Sequence, residues 1–214
     1  MEFDPDGLFE DQPSLTYWYR NQPAPQFTVT RENKWLNIET DYLVLHFYEN
    51  NRFHWRDLWI ELKQGGRIWR FGDADHTNLG GTIRTLDTTR GSIQLDPGLV
   101  SRSGWATVDD SKTLVLDDQL WPAPRNKALA YKDIYFYGYA HDYLGAIKAH
   151  QLISGKPGLL PRWALGNWWS RYWAYSSDEL LTLMDDFEKH QIPLSVCIVD
   201  MDWHKTKTGN ASSG

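Results

Sequence analysis

The chain has 214 residues, 41% hydrophobic and 23% charged, with a formal net charge of -6 at pH 7. That composition carries the packed core of one or two domains and argues against disorder as a whole. With an acidic balance and no run of Lys or Arg, the chain lacks the electrostatic footprint of a partner for nucleic acid or an anionic membrane. No apolar stretch reaches the length of a membrane span, and the start "MEFDPDGLFEDQPSL" is acidic and turn-rich rather than a basic-then-apolar leader. A soluble chain is expected, with its compartment left open.

In chain order, the first grammar is that of strands. Between Gln26 and Tyr139 short alternating or apolar runs follow one another: "QFTVTR", "WLNIET", "YLVLHFY", "LWIELK", "RIWRF", "TLVLD" and "DIYFYGY". Turn residues such as "QGG", "NLGG" and "DDS" separate them, and no segment of useful length has a helical period. The pattern predicts a β-sandwich over residues 1–139. Asp117 and Asp118 read as a turn pair. Neither "NLGG" nor "GKPG" has the strand and helix around it that a phosphate-cradling loop needs.

After Tyr139 the period changes. "HDYLGAIKAHQLISG" predicts a helix stopped by Gly155 with Pro157 behind it, and residues 140–162 read as connecting helix and linker. Residues 163–214 then predict a short strand in "WALGNWWS", an amphipathic helix in "SSDELLTLMDDFEKHQI" capped by Ser176 or Ser177, and an apolar strand in "PLSVCIV". Strand, helix and apolar strand make a βαβ unit with parallel strands. Such a unit cannot cover its own faces, so the expectation is the opening of an α/β domain that the chain does not complete. The single cysteine, Cys197, lies inside the apolar run and reads as a small buried hydrophobe.

Chemistry in parallel α/β folds gathers at the carboxyl ends of the strands. Two segments qualify here, "NWWSRYWAYS" and "DMDWHKT". Continued extension past Val199 would put Asp200, Asp202 and His204 on one face and Met201 and Trp203 on the other. Three readings of these residues stand side by side. They could ligate a divalent cation, as in an Asp-x-Asp nucleotide-sugar transferase; they could grip vicinal sugar hydroxyls through charge-assisted hydrogen bonds; or the acids could cap the next helix or pair with Lys205 and Arg171. Composition speaks to the second, since the chain holds 12 Trp and 11 Tyr. Most such rings are expected in the core, but the cluster in "GNWWSRYWAYS" exceeds what one strand can bury and offers flat apolar faces to sugar rings.

The run "GLLPRWALGNWWSRYWAYSSDELLTLMDDFEKHQIPLSVCIVDMDWH" resembles the opening of the catalytic barrel of glycoside hydrolase family 31, the α-glucosidase and α-xylosidase family. Upstream, "FEDQPSL", "NLGGTIRTLD", "LDPGLVSRSGWATVDDS" and "YFYGYAHDYLGAIKAHQLISGKPGLLPRWALG" resemble the β-sandwich that precedes that barrel. The resemblance implies a galactose-mutarotase-like sandwich, its first part absent, followed by the first βαβ unit of a truncated (β/α)8 barrel. It also implies an α-linked carbohydrate as partner, with no cofactor and no metal.

Residue by residue, the resemblance places Asp200 and Met201 against the non-reducing sugar, Asp202 and Trp203 in the same loop with His204, and Arg171 and Tyr172 in support at the end of the first strand. A sandwich loop reaches the barrel mouth in this family, which makes Trp105 and Asp109 of "DPGLVSRSGWATVDD" candidate contacts; a hairpin around a buried Trp is the other reading of that stretch. The family hydrolyses with retention, using an aspartate nucleophile and an aspartate acid/base whose carboxyl groups stand about 5 Å apart. The resemblance assigns both to later strands, beyond Gly214. The expectation is therefore a fragment of an α-glycoside hydrolase that is inactive alone. The alternative is a non-catalytic carbohydrate-binding module built on the sandwich.

Overall fold

The computed structural model describes residues 1–82, 85, 87–200, 203, 204, 207, 208, 211 and 212, the last four by backbone alone. The chain divides into two compact units, Met1–Lys156 and Pro157–Gly214.

The first unit is built of antiparallel sheets. After β1 (Glu2–Phe3), five strands follow in sequence and in space: β2 (Thr28–Glu32), β3 (Trp35–Glu39), β4 (Leu43–Tyr48), β5 (Leu58–Leu62) and β6 (Ile68–Arg70). The β2–β3 hairpin closes through Asn33 and Lys34, both at positive φ (50° and 70°), the conformation whose twist matches the flanking strands.

Strand alternation sets the two faces. Leu58, Ile60 and Leu62 point inward and are buried with Trp69 and Trp105, against Leu43, Leu45, Phe47, Phe53 and Phe71. Each such aliphatic side chain contributes about 1.5–3 kcal/mol on burial. The opposite face carries a row in register across five strands, Thr30, Asn37, His46, Trp59 and Arg70. Asn37 Nδ2 donates to Thr30, Asn37 Oδ1 meets His46 Nδ1 at 2.7 Å, and the Trp59 ring stands between the stacked His46 ring and the Arg70 guanidinium.

A second sheet has the order β1, β10 (Lys132–Tyr137), β7 (Ala106–Asp109), and a small hairpin pairs β8 (Val115–Leu116) with β9 (Pro122–Ala123). Phe136 of β10 packs on Trp69, ring centroids 5.1 Å apart, so the two larger sheets meet through the shared core. On the other side of β10 lies a buried ion cluster. Arg125 Nη2 binds Asp110 Oδ2 at 2.5 Å and Nη1 binds Asp133 Oδ2 at 2.9 Å, while Arg20 Nη1 reaches Asp133 Oδ2 at 2.8 Å. Helix α1 (Tyr143–Ser154) closes the unit, with Asp142 accepting from the Gly145 N–H at its start and Gly155, at φ 91°, ending it.

The second unit contains β11 (Trp168–Trp169), α2 (Ser177–Lys189) and β12 (Val196–Cys197), then a backbone hairpin of β13 (Lys207–Thr208) and β14 (Ala211–Ser212). β11 and β12 are parallel, Trp168 opposite Val196 and Trp169 opposite Cys197. α2 begins with a full capping box: the Ser176 hydroxyl accepts from the Glu179 N–H and the Glu179 carboxylate accepts from the Ser176 N–H. No closed barrel is present among the described residues.

The strands expected from the alternating runs all form, and among the described residues no helix interrupts them between Gln26 and Tyr139. Among the described residues, β1, β7 and β9 of the first unit escaped the pattern, β1 and β9 because two residues are too few for a period and β7 in the "GWATVDD" stretch, as did β13 and β14 of the second unit. "WALG" is not strand but a 3-10 turn, Arg162–Leu165, in which the Gly166 N–H bonds back to the Trp163 carbonyl. Cys197 is half-buried rather than buried. The aromatic content is also less internal than expected. Tyr17, Trp69, Trp105, Tyr131 and Tyr137 are buried, whereas Trp55, Trp121, Trp168, Tyr172, Trp173 and Trp203 are exposed.

Candidate functional site

The carboxyl ends of β11 and β12 lie side by side because the strands are parallel and in register. Asn167 fixes the entry to this pair. Its carbonyl accepts from the Ser195 and Val196 N–H groups, and its Nδ2 donates to the Pro193 carbonyl at 2.8 Å. The ladder runs on to the Ile198 N–H, which donates to the Trp169 carbonyl at 2.9 Å. Beyond it the two chains leave the sheet at the same edge, and there the Ser170 hydroxyl donates to Asp200 Oδ2 at 3.1 Å.

Asp200 stands in a cleft of about 190 Å³ whose walls include Trp173, Tyr175, Leu180, Val199 and Trp203. The Trp173 and Trp203 side chains are exposed, at 54% and 72%. The Arg171 guanidinium lies over the Trp173 ring, 4.6 Å from its centroid, a cation–π contact that holds the indole in place. Trp203 meets His204 edge to face at 4.7 Å. A carboxylate among exposed indoles can hold a polyol, with directional hydrogen bonds at one end and an apolar face at the other.

Of the residues expected from sequence, Asp200 and Trp203 come together in this cleft. Met201 and Asp202 lie outside the described residues, as does Lys205. The structure gives β12 only Val196–Cys197, so the strand ends before Asp200. Arg171 supports Trp173, while Tyr172 is exposed and does not line the cleft. Ser170, Trp173 and Tyr175 were not singled out one by one, although all three lie in the aromatic run "NWWSRYWAYS" that marked the region.

Trp105 and Asp109 belong to the first unit. Trp105 is 8% exposed and packs in the core beside Trp69. Asp109 ends β7, where its Oδ1 accepts from the Ser111 N–H at 3.0 Å and from the Ser111 hydroxyl, with Lys132 at 3.9 Å from Oδ2. Both placements are those of a strand and turn built around a buried Trp. Among the described residues no group of His, Cys, Asp or Glu is arranged to hold a metal ion, and no helix is long and apolar enough to cross a membrane.

Comparison with known proteins adds three findings. Residues 157–212 match the model of the glycosyl hydrolases family 31 TIM-barrel domain. The chain is 26% identical over 160 residues to an alpha-xylosidase of Saccharolobus solfataricus, covering 66% of this chain and 21% of that protein. It also resembles the family 31 dextranase of Flavobacterium johnsoniae, solved in complexes with isomaltotriose and with glucose. The TM-score is 0.57 at 17% identity, covering 94% of this chain and 29% of the dextranase. The chain thus spans about a fifth of the curated relative and under a third of the solved one. Residues 157–212 thus match the start of a glycosyl hydrolases family 31 TIM-barrel domain, and the fold before them is built of antiparallel sheets.

Proposed function

We propose that the chain forms the galactose-mutarotase-like β-sandwich and the first βαβ unit of the (β/α)8 barrel of a retaining α-glycosidase acting on terminal α-linked glucose or xylose. The observation that carries this reading is the position of Asp200 at the carboxyl end of the parallel pair, in a cleft walled by Trp173, Tyr175 and Trp203. In this role Asp200 accepts hydrogen bonds from two vicinal hydroxyls of the non-reducing sugar. The indoles of Trp173 and Trp203 shield its apolar face, and Met201 and Asp202 are further candidate contacts by sequence. The hydrolytic pair comes from barrel strands other than β11 and β12, so the 214 residues alone are inactive.

Two measurements test the proposal. Titration with glucose, xylose and isomaltose, followed by tryptophan fluorescence, should show saturable binding that Asp200→Ala abolishes. Assays with p-nitrophenyl α-glucoside and α-xyloside should show no turnover by this chain, and measurable hydrolysis would overturn the assignment of the catalytic pair.

The alternative is a carbohydrate-binding module in which the outer row of the five-stranded sheet is the platform. The faces of Trp59 are already covered by His46 and Arg70, which weighs against stacking a sugar there. Binding that survives Asp200→Ala but is lost in Trp35→Ala, whose indole packs edge to face on Trp59 at 4.6 Å, would favour the module.

A further inference from the structure

We propose that Ser170 is a positioning residue for Asp200, setting the plane of the carboxylate that meets the sugar; the inference rests on the reading of Asp200 given above. Ser170 is the first residue past the end of β11, and its hydroxyl donates to Asp200 Oδ2 at 3.1 Å, thirty residues further along the chain. The bond is possible because the parallel ladder is intact up to the Ile198 N–H and the Trp169 carbonyl, so the two chains leave the sheet with their separation already fixed.

An aspartate on a loop has two free torsions, and either oxygen can turn toward a ligand. A hydroxyl that holds one oxygen removes that freedom before the ligand arrives, which is pre-organisation. The serine uses one of the roughly four lone-pair directions that the two carboxylate oxygens offer. The hydroxyl bridges the two strands at the one place where the ligand is to be read. The neighbouring Arg171 holds Trp173, so adjacent residues of one loop set both the polar and the apolar side of the cleft.

The test uses the 214-residue chain with isomaltose as probe, comparing wild type, Asp200→Ala, Ser170→Ala and Ser170→Thr. Amide chemical shifts of Trp169 and Ile198 report whether the strand pair is intact. Ser170→Ala should weaken binding about five-fold, the usual effect of one hydrogen bond, with those shifts unmoved. Ser170→Thr, which keeps the hydroxyl, should restore affinity to within about two-fold.

Binding abolished by Asp200→Ala but unchanged in Ser170→Ala overturns the role of Ser170 and leaves the sugar site standing. Binding indifferent to Asp200→Ala, or absent in the wild type, overturns the sugar site and this inference with it. A loss in Ser170→Ala that comes with moved Trp169 and Ile198 shifts and is not rescued by Thr makes the serine a structural residue, and the inference fails.

Discussion

The side-chain amide of Asn78 pairs with the backbone of Gly98 in both directions: Oδ1 accepts from the Gly98 N–H at 2.7 Å and Nδ2 donates to the Gly98 carbonyl at 3.0 Å. The same amide also accepts from the Gly80 N–H and donates to Asp75, so all its hydrogen-bonding capacity is used. It therefore clamps the two sides of the long excursion between β6 and β7. A Cβ on Gly98 would lie 2.5 Å from the Gly80 carbonyl oxygen, where only backbone can give way.

Two substitutions test the clamp. Asn78→Ala should lower unfolding free energy by about 2 kcal/mol, through several lost but partly exposed hydrogen bonds. It should also speed hydrogen exchange at the Gly80 and Gly98 amides. Gly98→Ala should cost a similar amount through overlap rather than lost bonding. Unchanged exchange at both amides in Asn78→Ala would show that the clamp does not hold the excursion.

The ion cluster predicts a different response. Arg125, Asp110 and Asp133 have side chains only 2%, 0% and 3% exposed. Removing this guanidinium leaves the two buried carboxylates with Arg20 alone to offset them, at 2.8 Å from Asp133 and 3.7 Å from Asp110. Arg125→Met should therefore destabilise by about 3–5 kcal/mol in urea unfolding. The exposed pair between Arg31 and Glu49 is worth at most about 1 kcal/mol. High salt should erase that contribution and leave the effect of Arg125→Met almost intact.

Stability should pass through a plateau between about pH 8 and 10, bounded by groups of the first unit; its acid edge begins with the Met1 amine, which burial lowers. Burial pushes the Tyr137 hydroxyl up to about 12, and burial together with the Tyr137 hydrogen bond raises Tyr17 further. A raised tyrosine keeps its stabilising contribution below the unfolded value near 10. It loses that contribution as pH climbs toward the folded value, by up to about 1.4 kcal/mol per pH unit for each ring. Burial lowers His150, which bonds the Tyr137 hydroxyl at 3.0 Å, and also His46. Their contribution is present above the unfolded value near 6.5 and is lost as pH falls from there through the folded values. Urea midpoints between pH 4 and 12 check both edges, and Tyr17→Phe should flatten the alkaline one.

Gly166 decides how closely β11 and β12 approach. A Cβ there would fall on Ser195 Oγ and stand 2.6 Å from Ser195 Cβ. Gly166→Ala should disturb the parallel pair and cost about 1–3 kcal/mol. Adding Ser195→Gly should recover part of the loss by removing the atoms it strikes. Equal destabilisation in the single and double variants would show that the contact is not the cause.

Helix α2 was legible because its signals are local. Ser176 and Glu179 sit three residues apart before an apolar run, and the capping box needs nothing from the rest of the chain. The Glu179 carboxyl is accordingly held below its usual value by hydrogen bonds from the Ser176 backbone and hydroxyl. Gly155 was legible as a helix stop for the same reason, at φ 91° where a side chain is strained. The alternating runs from β2 to β6 gave their own strands, because a period of two fixes which face each residue takes.

Other features depended on partners distant in sequence. Trp105 carried two readings in sequence, and its burial against Trp69 is a contact between residues far apart in the chain, which no local period encodes. β1 exists because β10 offers it an edge, not because two residues prefer extension. The sequence alone determined the order of elements and the run of aromatic residues around Asp200, since spacing and side-chain type are local quantities. Only the tertiary structure decided that Ser170 meets Asp200 and that Trp173 shares its cleft, because those contacts are set by the register of β11 against β12. Pairing across thirty residues is a property of the folded sheet, where the ladder fixes separations that the extended chain leaves free.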